Sequence, residues 1–519
     1  MRRKRLLAAA AGVLAVGATA AIAQAAPGTE TGPSSSEPPY LVRTQPGIVT
    51  KSILTAGDEV DGYRMVGIPD GLGAYDNGDG TFTLLSNHEI PGDQGIVRAH
   101  GAQGAFVSKW VINKDDLSVE SGEDLIQTLN VWDPTLNSGA GDWKVVDTDP
   151  EARINRLCSA DLPPISAFYN AATGMGYNGR IFTNGEEGGT EGRAFAHVVD
   201  SGESFDVSPW VGNMSFENVV ANPATGDKTA AVGLDDGSSS VGQQVYLYVG
   251  DKTDEGNPAQ MAGLANGNLY GIVADTEEQD EYLHDWQVGE EVDFSLADVS
   301  EFAGVGGTSD DGTTNTLEED SQDKGVTNFQ RPEDGAWDPN NPSDFYFVTT
   351  SDFGDLAEGK TGETRLWRLR FADPADPSQG GELKLLVSGP VGTRDSDGGT
   401  ESADAPGPQM FDNITVNDRG QVIMLEDVGN QAYLGGVWIY NIASGSLVRI
   451  ANSDPDVFTP GAPGFITKDE EASGIIPAPF LGADAYLLDE QVHKKTPEDP
   501  ELYEGGQFMK LHVPSGKFK

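Results

Sequence analysis

Short apolar runs alternate with turns rich in Asp, Asn and Gly along nearly the whole chain. The runs are rich in β-branched and aromatic residues, and helical periodicity is scarce, so the pattern predicts an all-β fold. The repeating unit is clearest at residues 329–352, FQRPEDGAWDPNNPSDFYFVTTSD. Arg331, Glu333 and Asp334 precede an apolar run that starts at Trp337. Residues 339–342 read as a turn, and 345–349 as a strand that exits into Ser351 and Asp352. The same order of features recurs at 73–89, 168–187, 216–236 and 411–427.

Imperfect repeats of strand, hairpin turn and strand are the mark of a β-propeller. Such a unit cannot bury its faces alone, so neighbouring units must stack. About six blades with long insertions fit the length. A signal peptide at 1–25, a flexible terminus at 26–45 and a single propeller domain at 46–519 are the expected divisions. Residues 122–154 read as an insertion without an assigned place. Residues 304–325 and 394–407 read as mobile loops.

Charge narrows the function. The chain has 33 basic and 82 acidic residues, a formal charge of −49. That balance argues against a nucleic-acid binder, which needs a basic footprint, and against anionic membrane surfaces. It fits an exported protein and clustered carboxylates that hold hard cations. The N-terminus supports export. Arg2 to Arg5 are basic, 6–22 form an apolar core, and Ala23-Gln24-Ala25 is a small-x-small cleavage pattern. The Arg2-Arg3 pair leaves both the general and the twin-arginine route open. No later stretch is long enough for a transmembrane helix, so no stable membrane insertion is expected, and a monomer is. Cys158 is the single cysteine, so no internal disulfide forms; it reads as a small buried hydrophobe.

Residues 354–361, GDLAEGKT, match the phosphate-loop pattern in letters. A strand-like TRLWRLRF follows where the pattern needs a helix, so a surface hairpin loop is the expectation. No nucleophile elbow, HExxH or EF-hand spacing is present. The carboxylates at element ends remain: Glu186, Glu187, Glu217, Glu333, Asp334, Asp412, Glu426, Asp427, Glu470 and Glu471. Converging on one rim, they would repel unless cations neutralised them. Scattered, they would be ordinary exposed turn residues. Arg331 is a fork donor suited to phosphate or carboxylate.

Four stretches together resemble the PhoX-type alkaline phosphatases, exported bacterial β-propeller phosphomonoesterases that use iron and calcium. They are FQRPEDGAWDP with its following TTSD, FDNITVNDRGQVIMLED, GRIFTNGEEGGTEGRAFAH and EEASGI. The resemblance runs from about residue 73 to 511. It implies a small phosphorylated substrate. It implies Glu186, Glu187, Glu217, Glu333, Asp412 and Glu471 as metal ligands, and Arg331 as the phosphate-binding residue. One departure stands out. The family carries a cysteine directly before the Glu pair, and here Gly185 takes that place. Calcium is therefore the expected cofactor, and iron depends on whether Cys158 reaches the site. Two other readings stay open: a calcium-dependent propeller hydrolase of another substrate, phytase or lactonase/esterase, and a non-catalytic, calcium-stabilised binding propeller.

Overall fold

The computed structural model describes residues 26–237, 243–306, 316–351, 363–390, 407–427, 429 and 433–518. Three expectations lie outside them: the signal peptide, the phosphate-loop look-alike at 354–361, and the mobile reading of 307–315 and 394–406; the rest of the first of those two loops is ordered instead, with a helix at Leu317–Asp323 capped by the Thr316 side chain. Among the described residues the strands form six blades around a channel. The innermost strands are Pro69–Asp76, Leu157–Asp161, Phe216–Ala221, Pro332–Asp338, Phe411–Val416 and Glu470–Pro477. Each lies against the next, and the last lies against the first, so the ring is closed. We number the blades one to six in that order.

The expected repeat units fall on blades one to five. The strand read as 345–349 is the end of Asn341–Thr349, the second strand of blade four. Blade six, whose inner strand opens with Glu470-Glu471, completes the circle. The unplaced stretch at 122–154 supplies the hairpin Thr128–Asp133 and Asp142–Val146 on the outer edge of blade two. Blades three and four join at their outer edges through Glu291–Asp298 and Gly381–Ser388. Residues 26–45 carry two short strands. Thr29–Glu30 pairs with Val49–Thr55, itself the outer strand against Gly505–His512 of blade six, and Leu41–Arg43 extends blade five.

Hydrophobic residues fill the wedges between blades. The wedge between blades three and four is rich in aromatics, among them Phe329, Trp337, Phe345, Phe347 and Trp367. Phe329 meets Phe347 edge-on at 5.2 Å, and Trp337 meets Phe345 at 5.0 Å. Truncating one of these rings to Ala costs about 3–5 kcal/mol. Close approach of inner strands needs glycine at one point. A Cβ on Gly71 of blade one would lie 2.3 Å from the backbone nitrogen of Ala160 in blade two.

Candidate metal centre

One local device is repeated six times at the channel mouth. The second residue of each inner strand is an acid or a thiol: Asp70, Cys158, Glu217, Glu333, Asp412 and Glu471. At or just past this position every inner strand slips its register with the neighbouring strand. Such bulges break the ladder locally and re-aim side chains. All six of these side chains are buried. Four of the residues immediately before the inner strands have left-handed backbones: Ile68, Arg156, Arg331 and Met410, with φ of 43°, 30°, 59° and 49°. Each costs on the order of 1 kcal/mol or more, tolerated where the surroundings fix the backbone.

Among the described residues, two groups of side chains at the ring could hold a metal ion. One oxygen each from Glu217, Glu333 and Asp412 lies within 4.8 Å of the others, and so do atoms of Asp70, Glu89 and Cys158. Two charges 4.8 Å apart repel by about 3–4 kcal/mol at an effective dielectric of about 20. Burial, and then the neighbouring carboxylates, push Glu217, Glu333 and Asp412 well above the usual carboxylate range. Burial, Glu471 and Glu89 do the same to Asp70. Burial and then Glu217 and Asp70 raise the Cys158 thiol, which points at Asp70 Oδ2, 3.4 Å away. A bound cation would invert this, favouring carboxylate and thiolate.

The donor set fits metal. Glu217 Oε1 and Asp412 Oδ1 are buried without a hydrogen-bond partner, an expensive state that a cation relieves. Hard oxygens suit calcium, and a thiolate beside carboxylates suits iron.

A polar layer beneath the ring fixes its spacing. Asn218 donates to Asp334 Oδ1 at 2.7 Å, joining blades three and four. Asp334 also accepts from the backbone of Gly335 at 2.7 Å and of Ile414 in blade five at 3.2 Å. Asn413 donates to Ser159 and, at 3.3 Å, to Asp70. Gln491 donates to Asp70, Glu89 and Glu471 at 3.1, 3.1 and 3.3 Å. His493 bridges Glu504 at 2.9 Å and Glu471 at 3.4 Å. Burial opposes its charge, but those carboxylates outweigh burial and hold it protonated.

Of the residues expected at the site, Glu217, Glu333 and Asp412 come together, and Glu471 shares their ring. Glu187 sits above it, paired with Arg156. Burial is the main cause of its rise to about 8, with Glu89 and Asp236 adding to it and Arg156 and Arg331 opposing. Glu186 is turned elsewhere: Arg193 forks onto it at 2.8 and 2.7 Å. Arg331 forks onto Asp236 at 2.8 and 2.7 Å and reaches Glu333 at 3.1 Å. Cys158 is no mere core filler, because it occupies the blade-two position of the ring. Gly185 is not the missing ligand position. A Cβ there would lie 2.4 Å from Phe216 atoms, between blades two and three. The residues missed were Asp70, Glu89, Arg156 and Asp236. For Asp70 the signal was its place as second residue of an inner strand.

The family model for alkaline phosphatase PhoX matches residues 205–472, which is 268 of the 519 residues. The chain belongs to the PhoX family. The matched span holds Glu217, Arg331, Glu333, Asp412 and Glu471, while Asp70 and Cys158 lie before it. PhoX of Pseudomonas fluorescens, solved in complex with vanadate, a transition state analogue, is similar in fold. It aligns over 94% of this chain and 97% of its own, with 13% identity and a TM-score of 0.54. The α-L-arabinofuranosidase Arb93A of Fusarium graminearum, solved with an iminosugar inhibitor, aligns over 87% of this chain and 98% of its own. At 10% identity and a TM-score of 0.40 it is too distant to inform fold or chemistry. No curated protein sequence is significantly similar to the chain. Like other PhoX proteins the chain is a phosphatase-type enzyme with an all-β propeller fold. Among the described residues no helix is long and apolar enough to cross a membrane.

Proposed function

We propose that this PhoX protein is an exported, metal-dependent phosphomonoesterase that works at the mouth of the propeller channel. The observation that carries the reading is the buried trio Glu217, Glu333 and Asp412, whose ligand oxygens lie within 4.8 Å of one another. Those three residues would hold hard cations, calcium among them. Cys158 with Asp70 and Glu89 would hold a softer one, iron. Such ions, when bound, supply charge to stabilise phosphoryl oxygens and to activate an oxygen nucleophile.

The chain's own groups do the rest. Arg331 presents a guanidinium at the mouth, 28% exposed, and binds the phosphate. Asp236 holds its fork, and the Arg331 backbone N–H donates to Gln243 Oε1 at 2.9 Å. The guanidinium is thus fixed before substrate arrives, which lowers the ordering cost of binding. The bulged strand starts keep the ring in place, and the polar layer below resists its collapse or expansion. Glu187 is held at the mouth by its ion pair with Arg156. The substrate is a small phosphorylated molecule.

Turnover of p-nitrophenyl phosphate by purified protein tests the reading. Arg331→Ala should raise KM for it at least tenfold, the scale of one charge-assisted contact, with metal content retained. Unchanged kinetics in Arg331→Ala and Glu333→Ala would remove this site assignment. A calcium-stabilised binding propeller, by contrast, predicts no turnover at all.

A further inference from the structure

We propose that Arg156 is a specificity residue that favours phosphomonoesters whose leaving group bears a second anionic group close to the ester. The inference rests on the phosphomonoesterase reading and concerns the same mouth.

Arg156 and Arg331 are built alike. Each stands directly before an inner strand, in blades two and four, and each has a left-handed backbone. Each is two residues before a ring ligand, Cys158 or Glu333. Each guanidinium ties two carboxylates: Arg156 holds Glu89 and Glu187, and Arg331 holds Asp236 and Glu333. Both therefore stand at the strand-start end of the channel, the end that carries the ring.

They differ in depth. The Arg156 side chain is 44% exposed against 28% for Arg331. Its backbone is pinned, with its N–H on the Ile90 carbonyl at 3.2 Å and its carbonyl accepting from Glu187 at 2.9 Å. The left-handed backbone is shared with Ile68 and Met410 and belongs to the strand start; what sets Arg156 and Arg331 apart is a guanidinium held at that start by two carboxylates. With the deeper Arg331 on the phosphoryl group, the outer Arg156 meets what is attached to it. A guanidinium there recognises a carboxylate or a second phosphate by paired N–H donors.

The test compares 2-phosphoglycerate with glycerol 2-phosphate, which differ only by a carboxylate in place of a hydroxymethyl group. Metal-loaded full-length wild type should prefer 2-phosphoglycerate in kcat/KM. Arg156→Ala should cut that preference at least about tenfold, the effect of one charge-assisted contact. Arg156→Lys should cut it less. Metal per chain and thermal midpoint are measured on each variant. If Arg156→Ala sheds metal, Arg156→Lys with metal retained must still lose several-fold preference. A preference ratio within twofold of wild type in a metal-replete variant overturns the proposal, however the absolute rates move. If wild type turns over neither substrate, the phosphatase reading fails and this inference falls with it.

Discussion

Asp334 ties three blades together beneath the metal ring, and its removal has a calculable cost. The side chain is buried and accepts hydrogen bonds from Asn218 Nδ2 at 2.7 Å, Gly335 N at 2.7 Å and Ile414 N at 3.2 Å. Asp334→Ala leaves three buried donors without partners. At about 1–1.5 kcal/mol each, the loss is about 3–4.5 kcal/mol. Asp334→Asn keeps one oxygen for Asn218 and Gly335 but turns an NH₂ toward the Ile414 N–H, costing about 1–2 kcal/mol. Urea unfolding at saturating calcium measures both. Because Asn218, Asp334 and Asn413 directly follow three ring carboxylates, Asp334→Ala should also weaken metal retention. The reasoning is refuted if Asp334→Ala costs less than about 1 kcal/mol, or if the Asn and Ala variants cost the same.

Glu186→Ala should lower stability by about 3 kcal/mol, the low end for breaking a largely buried ion pair, through loss of the Arg193 fork, with metal content unchanged; elemental analysis beside urea unfolding checks this. Cys158→Ala should lower iron per chain while leaving calcium in place, read by the same elemental analysis. His197 is buried between Ser204 and Asn184, and burial, followed by His100, lowers its pKa to about 3. Its unfolded value lies near 6.5, so its contribution is complete above that pH. It is lost as pH falls through the window down to 3, by about 1.4 kcal/mol per unit. His197→Gln should flatten the acid limb of stability between pH 6.5 and 4.

The propeller was legible because its hairpins repeat in plain letters: apolar run, Asp/Asn/Gly turn, aromatic strand, acidic end. The blade count was only fitted to the length, because the sixth hairpin, opening at Glu470-Glu471, does not repeat those letters. Glu217, Glu333 and Asp412 stood out because each recurs at the same place, shortly after an aromatic or Gln at the start of a unit, and because the resemblance to PhoX-type phosphatases marks them. Asp70 was hidden within PDGLG, which reads as turn chemistry. Cys158 was hidden because a lone cysteine usually fills a core, and only blade register reveals that it shares the acids' position. Glu186 and Glu187 look equivalent in sequence. Adjacent residues at a strand end point in opposite directions, and the structure sends Glu186 to Arg193 and Glu187 to the mouth. Gly185 misled because matching letters to a motif ignores the Phe216 ring that leaves it no side-chain space. Arg156 carries no motif, and its significance lies in its equivalence to Arg331.

The central claim is that the buried acids of the ring exist to hold catalytic cations. Metal content and phosphomonoester turnover, measured on the same preparations of wild type and Glu217→Ala, test it most directly. The account predicts about one or more tightly held divalent or trivalent ions per chain, removed by exhaustive EDTA together with activity and thermal stability. Glu217→Ala should lose both metal and turnover. Full turnover after EDTA, or a Glu217→Ala protein with wild-type metal content, would contradict it.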